Sequence, residues 1–422
     1  MRAVAASLVV LTHATFLAGD DRSGVLAQPG RFGDAGVAIF FTLSGFLLYR
    51  PFVVAHLEGA PQMPSVAFWW RRILRIFPCY WVALTVLWGL HAVQPFGFVI
   101  GFDLGSQWWK YYLLLQIYFP ALGQGGISQS WSIATEVSFY LLLPFWALLI
   151  GRLSRRRANP FRIEVVGIAA LFVFGYLSRW WFSHLSAYAV SPIPGLLPNG
   201  VTWRAVSFTW LPNQIDFFAI GMAVAAIHAW ASRNGTLDRL ARWTRLPSLW
   251  WLAALGVYAV ITYGLGDNPN DYKSSYWQVR SVLYGLLGLT MIVPLVVGDQ
   301  TRGLIRRFVT WKPIWWIGVV SYGFYLWHLS LMERLVTMPS PTGGPSQWTG
   351  FRGWTLQNAN VFGLLVGAFV LGLSVAAVSW YLVEKPLLRF KGIIGGRRAR
   401  RPEDRPDTPD VRASRESAPD SR

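Results

Sequence analysis

Long apolar runs recur from one end of the chain to the other, separated by short segments rich in arginine or in glycine and proline. They predict ten membrane-spanning helices, approximately at 2–18, 33–54, 76–94, 128–150, 163–183, 206–230, 248–265, 277–298, 314–337 and 360–383. The run WWKYYLLLQIYF (108–119) is apolar and aromatic but too short to cross, and counting it would move the RLSRRR loop (152–157) to the outer side. It reads instead as a re-entrant or interfacial helix on the outer side. The fold class expected is all-α: a polytopic bundle of about ten transmembrane helices with both termini in the cytoplasm.

Composition agrees with this picture. The 422 residues are 54% hydrophobic and 14% charged, with a mean hydropathy of +0.37, whereas soluble domains carry about 25% charged residues. A multi-pass protein of the cell (inner, plasma) membrane is expected. Its 24 tryptophans suit membrane interfaces, and equally the walls of a sugar-binding cleft.

A formal charge of +18 raises the question of nucleic acid, and the placement of the charge answers it. Of 38 lysines and arginines, 28 fall in segments 50–75, 152–162, 231–247, 299–313 and 384–422, all on one side of the predicted membrane, and six fall on the other. That asymmetry is the positive-inside rule, so the charge reports topology and the partner is the lipid bilayer. Residues 1–390 are expected to form the membrane domain. Residues 391–422 are expected to form a disordered, basic cytoplasmic tail, rich in Pro, Arg, Asp and Ser, with its membrane-proximal arginines against anionic lipid. Cys79 is the only cysteine, which excludes an intrachain disulfide and a cysteine metal cluster. The first apolar segment has no small–x–small site at Phe16-Leu17-Ala18 and is expected to be retained, with the natural start of the chain upstream.

Polar residues inside spans are the candidates for chemistry, because burying them in a membrane is costly. Arg2 and His13 stand eleven residues apart in RAVAASLVVLTHATFLA. At about 100° per residue they share one helix face, separated by about 16 Å along the axis. In RRILRIFPCY (71–80), Arg71, Arg72 and Arg75 gather near one face at the cytoplasmic border. They read either as positive-inside anchors or as a clamp for a phosphorylated ligand. In WSIATEVSFYLLLPF (131–145), Ser132, Glu136 and Tyr140 form a polar stripe, with Arg179, Arg2 or His13 as partners for the carboxylate. Ser321, Tyr325 and His328 lie close to one face of SYGFYLWHLSLMERL, with Glu333 a turn beyond. Ser44-Gly45 reads as a close helix contact. Asp216 and His228 are isolated signals, and His91 and His184 read as incidental.

Taken together, these segments resemble the membrane acyltransferase-3 family, which includes O-acetyltransferases of bacterial surface polysaccharides and macrolide acyltransferases. The resemblance rests on Arg2-x10-His13, GVAIFFTLSGFLL (36–48), RRILRIFPCY, WSIATEVSFYL, SYGFYLWH and VEKPLLR (383–389), in family order over residues 2–389. It implies a ten-helix O-acyltransferase taking acyl-CoA, acetyl-CoA above all, as donor substrate, with no permanently bound cofactor and no metal. It assigns the catalytic base to His13 and links Arg2, Arg72 and Arg75 to the donor. The family's acidic residue after Gly-Val is Ala38 here, so no role for that carboxylate carries over.

Physical and family readings converge on acyl transfer. A hydroxyl needs a base within hydrogen-bond reach to act as a nucleophile at neutral pH, and an imidazole supplies one. The expected catalytic set is His13, oriented by Glu136 or Tyr140, and the expected donor set is Arg2, Arg72 and Arg75. The acceptor is expected to be a carbohydrate, glycolipid or macrolide. The alternative is a transporter or flippase for a saccharide or lipid-linked substrate, whose mark would be matched broken helices in two halves.

Overall fold

The computed structural model describes residues 1–18, 26–93, 107–119, 122, 125–155, 159–184, 189–193, 197–202, 206–265, 274–297, 304–337 and 360–394. The basic tail from 395 onward, much of the loops around 94–106, 266–273 and 338–359, and the side chain of His91 lie outside the described residues. Helices occupy all ten predicted stretches: α1 (Arg2–Leu17), α2 (Ala35–Glu58), α3 (Ser65–Val93), α4 (Trp131–Arg155), α5 (Pro160–His184), α6 (Ile215–Arg233), α7 (Pro247–Gly264), α8 (Ser274–Val296), α9 (Lys312–Thr337) and α10 (Val361–Gly392). Among the described residues, six of these (α2, α4, α5, α6, α8 and α10) are long and apolar enough to cross a membrane by length and composition. The 16-residue α1 is shorter than a full crossing, and α3 carries three arginines. The protein is a helical membrane bundle.

The surface shows which solvent the bundle was built for. Val166, Val173, Phe174 and Leu177 on α5, Leu249, Leu252 and Leu255 on α7, and Val370 and Leu382 on α10 are all exposed. Apolar patches of that extent are not left facing water. Inside, α2 is the central element, packed against α1, α4, α6 and α8. Phe41 on α2 stacks on Phe218 of α6, which stacks on Phe139 of α4, with ring centroids 4.7 and 4.1 Å apart. Glycine permits the closest of these contacts. A Cβ on Gly45 would overlap the Phe218 carbonyl, and one on Gly221 would overlap the Thr42 carbonyl. The expected role of Gly45 as a packing residue is borne out.

Three segments differ from expectation. The 108–119 run is not one helix. It makes a short turn at Trp108–Tyr112, breaks at Leu114 with φ 58°, and closes with a 3-10 turn at Gln116–Tyr118. The break holds because the freed carbonyls find bundle partners: Tyr80 donates to Tyr111 O at 2.8 Å, and Trp210 donates to Ile117 O at 2.7 Å. The span predicted at 206–230 becomes a continuous α-helix only at Ile215. Ahead of it, the side chains of Asn213 and Gln214 bond back to the carbonyls of Ser207 and Phe208 and stabilise turns instead. A short antiparallel hairpin, Ala189–Ile193 with Leu197–Thr202, adds two strands to the otherwise helical chain.

Candidate active site

α1 and α9 lie side by side and bring two histidines together. His13 Nδ1 is 2.7 Å from His328 Nε2, with the rings stacked at a centroid distance of 5.0 Å. His328 is fully buried, and its Nδ1 lies 3.1 Å from the Phe324 carbonyl one turn back on its own helix. A carbonyl only accepts, so His328 Nδ1 carries a proton and donates it there. In the neutral ring, Nε2 is then the acceptor, and His13 Nδ1 donates to it. The chain Phe324 O, His328, His13 therefore leaves the lone pair of His13 on Nε2. That is the protonation pattern a general base needs.

A cavity with an empty volume of about 700 Å³ approaches this pair from the side of Arg2. Arg2, Arg72 and Arg75 line one part of it, Ser44, Glu136 and Tyr140 its middle, and Ser132 and Tyr325 its far wall. Tyr325 is the link to the histidines. Its ring centroid is 5.8 Å from that of His328, and its hydroxyl donates to Gln129 O at 3.0 Å and meets the Ser132 hydroxyl at 2.7 Å.

Each cavity group has a traceable origin. Pro144 in α4 has no N–H, which frees the Tyr140 carbonyl four residues earlier. Trp69 Nε1 takes that carbonyl at 2.9 Å, joining α3 to α4 beside the cavity. Ser44 donates to the Glu136 carboxylate. Arg2 lies within electrostatic reach of Glu136, Tyr140, Arg72 and Arg75. The Arg72 guanidinium lies over the Phe68 and Tyr140 rings, 5.8 and 6.0 Å from their centroids, and its Nε has no hydrogen-bond partner. Arg75 lies over Trp380 at 5.4 Å and pairs with Glu384 at 3.5 Å. Glu384 ends a π-helical turn, Trp380–Glu384, that aims it inward, where it is 1% exposed.

Five of the six expected site residues, Arg2, Arg72, Arg75, Glu136 and Tyr140, thus share one cavity. His13 does not line it and reaches it through His328 and Tyr325. The expectation that Glu136 or Tyr140 orients His13 is corrected: the Nδ1 partner is His328. Arg179 is no partner for Glu136 either. It donates to both oxygens of Asp216 at 2.7 Å and to Asn213 O at 2.9 Å, and both members of the pair are buried. His184 bonds the Trp180 carbonyl of its own helix. Besides Asp34 with Tyr284, two polar groupings were not singled out in the sequence. Glu384 is one. The other is His56 on α2, bonded through Nδ1 to Glu164 of α5, which also accepts from Tyr49 at 2.5 Å. The available signal was the same in each case, a charged residue within an otherwise apolar helix.

The sequence pattern of the membrane acyltransferase-3 family, described as "Acyltransferase domain", matches residues 1–384. Among curated proteins, the chain is 24% identical over 408 residues to "Peptidoglycan O-acetyltransferase OatA" of Listeria monocytogenes, covering 93% of this chain and 56% of that protein. It is 25% identical over 416 residues to "Nodulation protein 10" of Rhizobium leguminosarum bv. viciae, covering 94% of each. It is 24% identical over 371 residues to "Putative peptidoglycan O-acetyltransferase YrhL" of Bacillus subtilis, covering 84% of this chain and 50% of that protein. The chain thus spans about half the length of the peptidoglycan O-acetyltransferases it matches. No solved structure matches it. A match over residues 1–384 takes in the whole bundle around the cavity and the histidine pair, and the chain belongs to the membrane acyltransferase-3 family.

Proposed function

We propose that the protein is an integral-membrane O-acyltransferase that moves an acetyl group from acetyl-CoA to a hydroxyl of a glycan, glycolipid or glycosylated metabolite. The observation that carries the reading is the cavity itself, which begins among three arginines and ends at a tyrosine packed on the histidine pair. Guanidinium groups suit the phosphates of CoA. Arg2 and His13 are about 16 Å apart along α1, so a donor held by its phosphates would extend its thioester towards the histidines. His13 Nε2 then takes the proton of the acceptor hydroxyl as its oxygen attacks the thioester carbonyl. The C–O bond forms, the C–S bond breaks, and the departing CoA thiolate recovers the proton. Positive-inside topology puts Arg2, Arg72 and Arg75 towards the cytoplasm, where acyl-CoA is found. The names of the curated relatives support a glycan acceptor.

The test is purified protein in lipid nanodiscs with isotopically labelled acetyl-CoA and soluble peptidoglycan fragments. The expected result is a mass gain of one labelled acetyl group on the fragment. Absence of label from every glycan offered, together with movement of unmodified saccharide across the bilayer, would replace acyl transfer by transport.

A further inference from the structure

The turn of α9 that carries His328 is gripped from outside by one residue. Gln129 stands in the 3-10 turn Ser128–Ser130 that leads into α4, and it is buried. Its Nε2 donates to Leu326 O at 2.9 Å and to Tyr325 O at 3.2 Å, two successive carbonyls of α9. A carbonyl oxygen accepts two hydrogen bonds, so both can hold Gln129 and keep their helical partners. The return bond comes from Tyr325, whose hydroxyl donates to the backbone carbonyl of Gln129 at 3.0 Å. The turn is itself held from behind: Gln116, in the broken 108–119 segment, donates from Nε2 to Ser130 Oγ at 3.0 Å.

Stability alone does not explain this amide. Gln129 Oε1 is buried and has no hydrogen-bond partner among the described residues. Reversing the amide would set that oxygen against two carbonyl oxygens, so its orientation is fixed. A buried acceptor left unpaired destabilises a fold. An apolar side chain of the same length would avoid that loss, and both α9 carbonyls would keep their helical bonds. What it would not supply is the grip on Tyr325 and Leu326.

The grip falls where alignment matters. His328 Nδ1 bonds Phe324 O, the carbonyl immediately before the two that Gln129 holds, and the Tyr325 ring packs on the His328 ring with centroids 5.8 Å apart. His328 Nε2 then meets His13 Nδ1 across the contact between α1 and α9. A small rotation or slide of α9 would lengthen that bond and free His13 to take either tautomer.

We infer that Gln129 is a positioning residue for acyl transfer: by holding Tyr325 and Leu326 it sets α9 so that His328 keeps the lone pair of His13 on Nε2. The inference rests on the O-acyltransferase reading. Gln129→Met keeps the length of the side chain and removes its N–H groups, and Gln129→His keeps one N–H at a similar reach. Transfer kinetics in nanodiscs are measured together with thermal unfolding and with nitrogen NMR spectra of protein carrying isotope-labelled histidine. The His13 signals are identified by their loss in His13→Gln. For Gln129→Met the expected result is a kcat lower by about ten- to hundredfold, the scale on which small misplacements act. Its KM for acetyl-CoA and its melting temperature should stay near those of wild type. His13 should spread over both tautomers, where wild type holds the proton on Nδ1 alone. Gln129→His should recover part of the lost kcat. A Gln129→Met protein with wild-type kcat and a single His13 tautomer overturns the inference. Failure of that variant to fold, or a lowered melting temperature with the His13 tautomer unchanged, overturns it too and makes Gln129 a packing residue. A wild type that transfers no acetyl group rejects the O-acyltransferase reading instead, and the histidine spectra then decide by themselves whether Gln129 sets the pair.

Discussion

Glu384 of α10 faces Arg75 of α3 at 3.5 Å, so one of the three cavity arginines already has a carboxylate partner. Both Glu384 oxygens are buried, with the Cys79 thiol beside them, and the 3.5 Å separation from Arg75 makes the pair a loose ion pair and not a tight clasp. A donor phosphate would compete with Glu384 for Arg75. Glu384→Gln is therefore expected to strengthen acetyl-CoA binding, by about 1 kcal/mol or roughly fivefold. Isothermal titration in nanodiscs at low salt measures it. Weaker binding would show instead that Glu384 positions Arg75 for the donor.

Arg72 and Arg75 are expected to respond differently to removal. Arg72 makes ring contacts and has an unpartnered Nε, so Arg72→Ala should cost the donor one charge-assisted contact, roughly 1.5–3 kcal/mol or about tenfold and more in affinity. Its effect on folding should be small. Arg75→Ala strands a nearly buried carboxylate at Glu384 and should lower the melting temperature as well. Thermal unfolding and donor titration on the two variants separate the effects. Identical melting temperatures would contradict the assignment of Glu384 to Arg75.

The Arg179–Asp216 pair should behave as structure and not as chemistry. It joins α5 to α6 and is buried on both sides, at 2.7 Å. Asp216→Asn leaves a buried guanidinium without its counter-charge and should destabilise the fold by about 3–5 kcal/mol. The protein that remains folded should bind acetyl-CoA normally, since neither residue lines the arginine cavity. Thermal unfolding with titration of the monodisperse fraction checks both halves of this statement. A stable variant with no donor binding would move the pair into the binding machinery.

Topology gives a further test. A cysteine placed at Arg155, the exposed last residue of α4, should react with an impermeant maleimide only after the cytoplasmic side is opened, in a background where Cys79 is replaced. Cys79 is buried against Ser379 and so can be changed to alanine with little exposure of new surface. Labelling at Arg155 from outside would reverse the orientation and place the arginine cavity on the wrong side for cytoplasmic acyl-CoA.

The helices were legible because long apolar runs and loop arginines are strong signals, and the motif order identified the arginine and histidine segments before any contact was known. The partners were not legible. His13 and His328 are 315 positions apart, and periodicity on each helix says only which face a side chain takes, not which helix covers that face. For the same reason Glu136 had three candidate partners in the sequence, while in the bundle Ser44 donates to it and Arg179 goes to Asp216. The stretch 208–214 is apolar enough to read as helix, whereas Asn213 and Gln214 bond backwards to the chain and hold turns. Asp34 went unremarked because it sits at the entrance to an apolar helix, where a carboxylate looks like an ordinary cap. Its partner Tyr284 lies 250 positions away.

The central claim is that His13 Nε2 is the base, with its lone pair fixed there by His328. His13→Gln is the most direct measurement, because glutamine retains a hydrogen-bonding group beside His328 but cannot take up a proton at neutral pH. Acetyl transfer by the variant and by wild type should be compared at matched membrane levels, with acetyl-CoA binding recorded on the same preparations. The account predicts unchanged donor binding and a transfer rate lower by about 10²–10⁴-fold. Near-normal transfer by His13→Gln would contradict it and move the search for the base to His328.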